Sequence, residues 1–249
     1  MIKAIIVLVL AFVLPLAAQA VLYAMQDRHV HWRQADWSSA ALAPDPSKVS
    51  AAVVQVYAAR AYRWRGIFGV HSWIAFKEEG AADYVRYDVM GWGRALRESI
   101  GPPDGRWAGN TPQILFEARG PGAAEMIPRI RRAVANYPHA ENGSYVLWPG
   151  PNSNTFIATI ARQVPELEVS LPSLAVGKDY APGWVSLMKM PSGTGWQLSF
   201  AGYGGAGFAA VEGLELHAFG QTLGIDILRP ALKLPGLGRL GMARSQVMP

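Results

Sequence analysis

Residues 70 to 90 read VHSWIAFKEEGAADYVRYDVM, and this stretch carries the clearest fold signal in the chain. Val70 to Lys77 and Tyr84 to Met90 are rich in the β-branched and aromatic residues that strands favour. Between them, Glu78-Glu79-Gly80-Ala81 supplies a turn. The pattern predicts an antiparallel hairpin, and Val53 to Tyr57 predicts a further strand upstream.

The hairpin also positions two ionisable side chains. His71 lies inside the first strand, on the same face as Trp73. If the turn is centred on its Gly-Ala pair, Asp88 falls on the face of Trp73 and diagonal to His71. A slip of one residue would present Tyr87 or Val89 instead, because side chains alternate between faces.

A second unusual stretch, WPGPNSNTF at residues 148 to 156, precedes a helical apolar pattern that ends at Pro165. It predicts a helix over 155–164, and Ala123 to Tyr137 has the same amphipathic spacing. Together with the hairpin, these helices predict an α+β fold in which an antiparallel sheet packs on two or more helices. Further β segments are expected at Trp196 to Phe200, Leu214 to Phe219 and Gly224 to Leu228.

Ser153 has two interpretations. A helix start offers unpaired N–H groups and a positive dipole end, which suit a capping hydroxyl and would equally stabilise an oxyanion. As a nucleophile, Ser153 would need a base, for which His71 is the candidate, and an orienting group, for which Asp88 is the candidate. Asn152 and Asn154 are candidate oxyanion or substrate-binding donors, and both are also good helix caps.

Two other polar positions have open or ordinary interpretations. The cluster Lys178-Asp179-Tyr180 either lines the site or forms a structural ion pair. His217 alternates with Leu214 and Leu216, which predicts a surface position. His29 and His31 lie two residues apart without carboxylate partners, and His139 is expected to cap the end of a helix, so we expect no metal and no cofactor.

The N-terminus predicts attachment to a membrane. Ala4 to Met25 is an apolar run long enough to cross a bilayer. Ala18-Gln19-Ala20 resembles a signal cleavage site, but the apolar run continues past it and ends at Asp27-Arg28-His29, as a membrane flank does. We therefore favour a single-span anchor at residues 1–25 over a cleaved signal.

The remaining organisation follows from composition. Residues 26–50, with Trp32 and Trp37, predict a juxtamembrane linker at the headgroup layer. Residues 51–240 form the globular domain, and 241–249 a C-terminal tail. The net charge of +5 is scattered, so nucleic acid is not an expected partner. The absence of cysteine excludes disulfides, thiolate metal sites and a cysteine nucleophile.

Several segments resemble the bacterial DUF3750 family. They are Trp64-Arg65-Gly66-Ile67-Phe68, Val70-His71-Ser72-Trp73-Ile74-Ala75, Trp148-Pro149-Gly150-Pro151-Asn152-Ser153-Asn154-Thr155-Phe156, Gly177-Lys178-Asp179-Tyr180 and Leu228-Arg229-Pro230-Ala231-Leu232-Lys233-Leu234-Pro235-Gly236. The order of strand histidine, returning strand and Asn-Ser-x-x-Phe helix start is also similar to the circularly permuted papain-like families, such as the NlpC/P60 and lecithin:retinol acyltransferase-like groups. That resemblance implies a permuted papain-like fold, with serine in place of the usual cysteine.

These observations leave two functional classes open. The first is an envelope hydrolase or acyltransferase that acts on an amide or ester through Ser153 and His71. The second is a non-catalytic accessory subunit of a membrane complex that keeps a hydrolase-like fold. In both cases we expect a single-pass protein of the bacterial inner membrane, with its domain on the periplasmic side.

Overall fold

A computed structural model of the chain describes residues 2–26, 31–243 and 247–248. Its first helix, α1 (Ile2–Ala24), has 23 residues, none of them buried. A helix of that length extends for about 35 Å and exceeds the ~30 Å hydrocarbon layer of a bilayer. By length and composition α1 could cross a membrane once, which is consistent with a single-pass anchor. The predicted flank at 27–29 lies outside the described residues.

The first sheet contains the predicted hairpin. Its antiparallel strands are β1 (Val53–Arg60), β2 (Val70–Lys77), β3 (Val85–Val89), β4 (Leu96–Glu98) and β5 (Gln113–Arg119). Their spatial order is β5-β1-β2-β3-β4, so β1 and β2 occupy the centre. All eight residues of β2 are buried, because both faces of the sheet are covered.

The hairpin register is the one expected from a turn centred on the Gly-Ala pair. Ile74 lies opposite Tyr87, which puts Asp88 on the face of Trp73. The ladder between β2 and β3 extends no further toward the start of β2. Beyond it, the Met90 N–H donates to the carbonyl of Ala95 instead, and the two strands separate.

Three helices follow or interrupt these strands: α2 (Arg65–Phe68), α3 (Pro121–Ala135) and α4 (Ser153–Gln163). The two long helices each begin two residues before the predicted start. Their apolar faces pack on one face of the first sheet and form the main core, which includes Ile74, Phe76, Ile127, Ile130, Phe156 and Ile157. Burial of each such side chain stabilises the fold by about 1.5–3 kcal/mol. The α+β class is therefore confirmed.

Aromatic side chains cover the opposite face of the first sheet. Tyr57, Trp73 and Trp107 are buried there, and Trp32 and Trp37 pack against them. The rings of Trp32 and Trp37 meet edge to face, with centroids 4.3 Å apart. The described part of the expected linker, residues 31–50, is thus packed on the domain, and its tryptophans join a protein cluster rather than a headgroup layer.

The C-terminal part of the chain forms a second, separate sheet. Its strands are β6 (Ser186–Lys189), β7 (Gly195–Phe200), β8 (Gly204–Ala209), β9 (Gly213–Ala218), β10 (Gln221–Asp226), β11 (Ala231–Leu234) and β12 (Gly238–Gly241). They follow one another as an antiparallel meander. A last strand, β13 (Val247–Met248), pairs in parallel with β5. Part of the expected tail therefore belongs to the first sheet, while 244–246 and 249 lie outside the described residues.

The second sheet has its polar face inward. Along β9, Glu215 and His217 are buried, whereas Leu214 is 52% exposed. The prediction of a surface position for His217 was therefore wrong. The alternation was correct, but the sheet turns its apolar face outward, and alternation alone does not say which face is covered.

Candidate active site

His71 is held rigidly on the first sheet. Its Nε2 lies 2.8 Å from Oδ1 of Asp88, the diagonal residue on β3. The Arg86 Nε donates to Oδ2 of the same carboxylate over 2.6 Å, and Arg86 Nη2 donates to Oδ1 over 3.0 Å. The ring of His71 stacks on Trp107, with centroids 3.6 Å apart. These contacts fix both the position and the tilt of the imidazole.

The electrostatics assign a tautomer to His71. Burial lowers the pKa of His71 below its ordinary value, although Asp88 acts in the opposite direction. Burial alone would raise the pKa of Asp88, but Arg86 and the bond from His71 outweigh it and keep that pKa below its ordinary value. At neutral pH Asp88 is therefore an anion that can only accept. The His71 proton consequently lies on Nε2, and Nδ1 carries the lone pair.

Ser153 begins α4 but does not cap it. The cap is Asn152, whose Oδ1 accepts from the N–H groups of Asn154 and Thr155. The Thr155 hydroxyl completes a capping box by accepting the N–H of Asn152. Within the described residues, neither the Ser153 hydroxyl nor the Ser153 N–H has a protein hydrogen-bond partner. A buried serine at a helix start is thus left without the capping role that the sequence suggested.

The side-chain amides of Asn152 and Asn154 are both fully used. Asn152 Nδ2 donates to the carbonyls of Leu147 and Val176, at 3.0 and 2.9 Å. Asn154 Nδ2 donates to the carbonyls of Val70 and Val176.

Neither amide therefore has a spare N–H for an oxyanion or a substrate, contrary to the sequence expectation. These asparagines position the helix start instead. The donor still available at that point of α4 is the backbone N–H of Ser153.

Strand β2 contacts the start of α4 through the residues on both sides of His71. The Ser72 hydroxyl donates to Oδ1 of Asn154 over 2.8 Å and lies 3.3 Å from the carbonyl oxygen of Ser153. On the other side, the carbonyl of Val70 accepts from Asn154. Val70 and Ser72, the β2 neighbours of His71, thus both contact the start of α4.

His71 and Ser153 both line one cavity of about 750 Å³. Strand alternation turns His71 to the aromatic face of the first sheet, whereas α4 packs on the other face. The cavity lies where β2 and β3 separate, so residues from both faces reach it. Arg65 and Tyr145 also line it, and burial raises the pKa of Tyr145 to about 12, which keeps its hydroxyl protonated.

Sequence reasoning missed four residues of this site. Arg86 could have been found, since it lies two positions before Asp88 and therefore on the same strand face. Arg65, Trp107 and Tyr145 lie outside the hairpin and α4, and only the tertiary fold brings them to the cavity. No local pattern indicates them.

The Lys178-Asp179-Tyr180 cluster does not line this cavity. Lys178 Nζ lies 2.5 Å from Glu215, and Lys233 Nζ lies at the same distance from the other carboxylate oxygen. These buried groups form a structural ion cluster on the inner face of the second sheet, as the second interpretation expected.

No metal site accompanies the cavity. In the part of the chain that the structure describes, no group of three or more His, Cys, Asp or Glu side chains could hold a metal ion. The arrangement offers a hydroxyl, an imidazole with a free lone pair, and an unpaired N–H at a helix start. Those are the parts that acyl transfer needs.

Comparison with known proteins identifies a family. The model of a family described as "Protein of unknown function (DUF3750)" matches residues 51–180, just over half of the chain. The match contains His71, Asp88 and Ser153, and most of it lies in the first sheet and its helices. No curated protein and no solved structure matches the chain.

Proposed function

This chain belongs to the DUF3750 family, and from that premise we propose that it is an envelope hydrolase or acyltransferase that acts on an amide or ester through Ser153 and His71. One observation carries the proposal. The Ser153 hydroxyl is buried at a helix start where Asn152 already provides the cap, and it shares a cavity with a histidine held by a carboxylate. A serine with no capping role that lines the same cavity as such a pair is suited to nucleophilic attack.

Each group has a role in the proposed reaction. Ser153 Oγ attacks the carbonyl carbon while His71 Nδ1 takes its proton. The backbone N–H of Ser153 and the positive end of α4 stabilise the oxyanion. His71 then gives the proton to the departing alcohol or amine as the carbon–heteroatom bond breaks, which leaves an acyl-serine. Water or a second alcohol accepts the acyl group.

Asp88 and Arg86 act through the histidine. The Asp88 carboxylate keeps the His71 proton on Nε2 and stabilises the imidazolium that forms during attack. Arg86 in turn keeps Asp88 ionised in a buried setting. Serine needs this support more than cysteine would, because an alkoxide is much harder to form than a thiolate.

The finer fold assignment belongs to the same proposal. A permuted papain-like arrangement is supported by the chain order, in which a strand histidine and its returning strand precede the nucleophilic helix. It is supported further by the contacts of Val70 and Ser72 with the start of α4. An experimental structure with a covalent probe on Ser153 tests it: attachment without contact between the adduct and His71 would contradict the arrangement.

The proposed location is the inner membrane, with the domain in the periplasm. It rests on α1, which is long and apolar enough to span a bilayer. Carbonate extraction of membranes followed by N-terminal sequencing tests the anchor, and a soluble chain beginning at Val21 would contradict it. The chain has no cysteine, so a single cysteine can be introduced at the exposed Glu141. Its labelling in intact cells by a membrane-impermeant maleimide tests on which side of the membrane the domain lies.

A second candidate function is a non-catalytic accessory subunit of a membrane complex. It is favoured by the outer face of the second sheet, which exposes large apolar side chains on successive strands: Trp196, Leu198, Phe208, Leu214, Ile225 and Leu232. Exposed apolar side chains on neighbouring strands are typical of surfaces that bind another protein or a membrane. Purification in mild detergent distinguishes the two, since a stoichiometric protein partner together with absent turnover would favour the subunit.

A fluorophosphonate probe tests the enzymatic proposal directly. We expect the probe to label the wild-type protein in membranes and to label neither Ser153→Ala nor His71→Ala. Ser199→Ala is the matched control, because this buried serine bonds the carbonyl of Asp179 and should leave labelling intact. Labelling that persists in Ser153→Ala, or that never occurs in the wild type, would contradict the proposal.

A further inference from the structure

A second cavity, of about 720 Å³, also reaches Ser153. It lies between α1 and the globular domain. Its walls include Phe12, Val13 and Leu16 from α1, and Phe68 and Leu147 from the domain. Its volume falls in the range of about 300–1,000 Å³ that is usual for small-molecule sites. The proposed nucleophile therefore borders an apolar space that the N-terminal helix helps to enclose.

Three amide side chains of this cavity are committed elsewhere. The amides of Asn152 and Asn154 bond backbone carbonyls, as described above. Gln221 donates to the carbonyl of Phe68 over 2.7 Å and accepts from the N–H of Gly236 over 3.0 Å. His217 bonds Thr222 through Nδ1, whereas its Nε2 has no hydrogen-bond partner in the described residues.

Besides those three amides, the Ser153 hydroxyl is consequently the nucleophile presented to a wall that is mostly apolar, with Arg65, Tyr145 and His217 as its other polar members. A ligand that fits must be apolar along most of its length and carry its reactive group at one end. We propose that the substrate is an acyl lipid, with its hydrocarbon chain in this cavity and its ester or amide carbonyl at Ser153. This inference rests on the proposed function, whose substrate class it names.

The position of α1 supplies the access route. The helix that forms one wall is the same helix that could span a bilayer, and its large apolar side chains remain exposed on the side away from the domain. Leu216 and Phe219, which belong to the second sheet and its following turn, line the cavity as well. An acyl chain could thus move from lipid to Ser153 along apolar surface, without the cost of crossing water.

The chemistry is that of ordinary acyl transfer. The bond between Ser153 Oγ and the acyl carbon forms, and the bond to the headgroup oxygen or nitrogen breaks. The headgroup leaves with the proton that His71 carried. Water then releases a fatty acid, or a second alcohol or amine takes the acyl chain.

Binding can be tested apart from turnover. The full-length Ser153→Ala protein in lipid nanodiscs is photolabelled with a diazirine-bearing C16 fatty acid, and the labelled peptides are mapped. We expect labelling in α1 and around Phe68. Val13→Trp, which fills the cavity, should lower it at least tenfold, whereas Leu14→Trp, the matched control on the exposed side of α1, should leave it unchanged.

The rate of ester hydrolysis as a function of acyl-chain length provides a second test. With p-nitrophenyl esters of two to twelve carbons, we expect kcat/KM of the wild type to rise about fourfold per methylene, which corresponds to about 0.8 kcal/mol. Val13→Trp should flatten this dependence and Leu14→Trp should preserve it.

Different results would contradict the lipid assignment and the proposed hydrolase reaction. Turnover without any dependence on chain length, or labelling unaffected by Val13→Trp, would overturn the lipid assignment while the hydrolase stands. Cavity-specific labelling with no turnover of any ester would overturn the proposed reaction while the lipid site stands.

Discussion

The two sheets each bury a histidine beside a carboxylate and cations, with opposite consequences for the histidine. In the first sheet, His71 bonds Asp88, and that carboxylate stabilises an imidazolium through both charge and hydrogen bond. In the second, His217 lies 3.7 Å from Glu215, whose charge is already shared by two lysines.

The factors that oppose protonation of His217 therefore outweigh Glu215, which favours it. Burial and Lys178 are the two largest causes, and together they lower the pKa of His217 to about 3. The same residue types thus make a supported base in one sheet and, in the other, a group whose lowered pKa keeps it neutral near pH 7. Both carboxylates also bind other cations, and the difference is that Asp88 hydrogen-bonds its histidine directly, whereas Glu215 bonds two lysines and leaves His217 Nε2 without a hydrogen bond.

Removal of each histidine gives the sharpest contrast. His71→Ala should lower the rate of ester hydrolysis by about 10⁶-fold, as loss of a triad base does. His217→Ala should leave the rate per folded molecule within a few-fold of the wild type. The reverse result would assign the base role to the second sheet, since His217 also lines the cavity beside α1.

Asp88→Asn should lower the rate of hydrolysis by about 10⁴-fold. Asparagine can donate as well as accept, so it no longer keeps the proton of His71 on Nε2. The measurement is kcat/KM of the purified variant, with circular dichroism to show that it is folded. Asp45→Asn, at an exposed aspartate, is the control. A rate within tenfold of the wild type would mean that Asp88 does not orient the base.

Glu215→Gln should act on stability instead. It leaves Lys178 and Lys233 buried without a counter-charge, so we expect the free energy of unfolding to fall by about 3–5 kcal/mol. Denaturant unfolding of the full chain in detergent measures it. Exposed Glu141→Gln is the control, expected within about 0.5 kcal/mol of the wild type. Loss of activity without loss of stability would show that the second cluster also takes part in the reaction.

The pH dependence should separate the clusters further. The pKa of His71 is lowered, so kcat/KM should fall on the acid side with a midpoint below 6.5. His217, with a pKa of about 3, stays neutral in the fold but charges on unfolding below pH 6.5. Its contribution to stability is complete above pH 6.5 and is lost as the pH falls towards 3, at no more than about 1.4 kcal/mol per pH unit. His217→Gln should flatten this slope, and an unchanged slope would contradict the assignment.

The smallest effect concerns the cap of α4. Asn152→Ala should destabilise the protein by about 2 kcal/mol, because it removes the cap and two further bonds. Ser153→Ala should change stability by less than about 0.5 kcal/mol, since its hydroxyl bonds no protein group in the described residues. Thermal unfolding of both variants measures the difference. Equal destabilisation would return the capping role to Ser153.

Local patterns determined much of the first sheet. The hairpin itself was predicted, and of the registers that the sequence left open the structure has the one centred on its Gly-Ala pair, with Asp88 diagonal to His71. The starts of both long helices were found within two residues, because their apolar spacing and breakers are encoded nearby. The apolar run that forms α1 was likewise predicted from the sequence. Each of these depends on residues close together in the chain.

Only the tertiary structure decided the rest. It selected Asn152 rather than Ser153 as the cap, since Asn152 also donates to the carbonyl of Val176 on a distant segment. It turned the polar face of the second sheet inward, because Lys178, from outside that sheet, meets Glu215 there. It also brought α1 beside Ser153. Alternation in the sequence defines the two faces of every strand. Which of the two faces is buried depends on partners that lie far away in the chain.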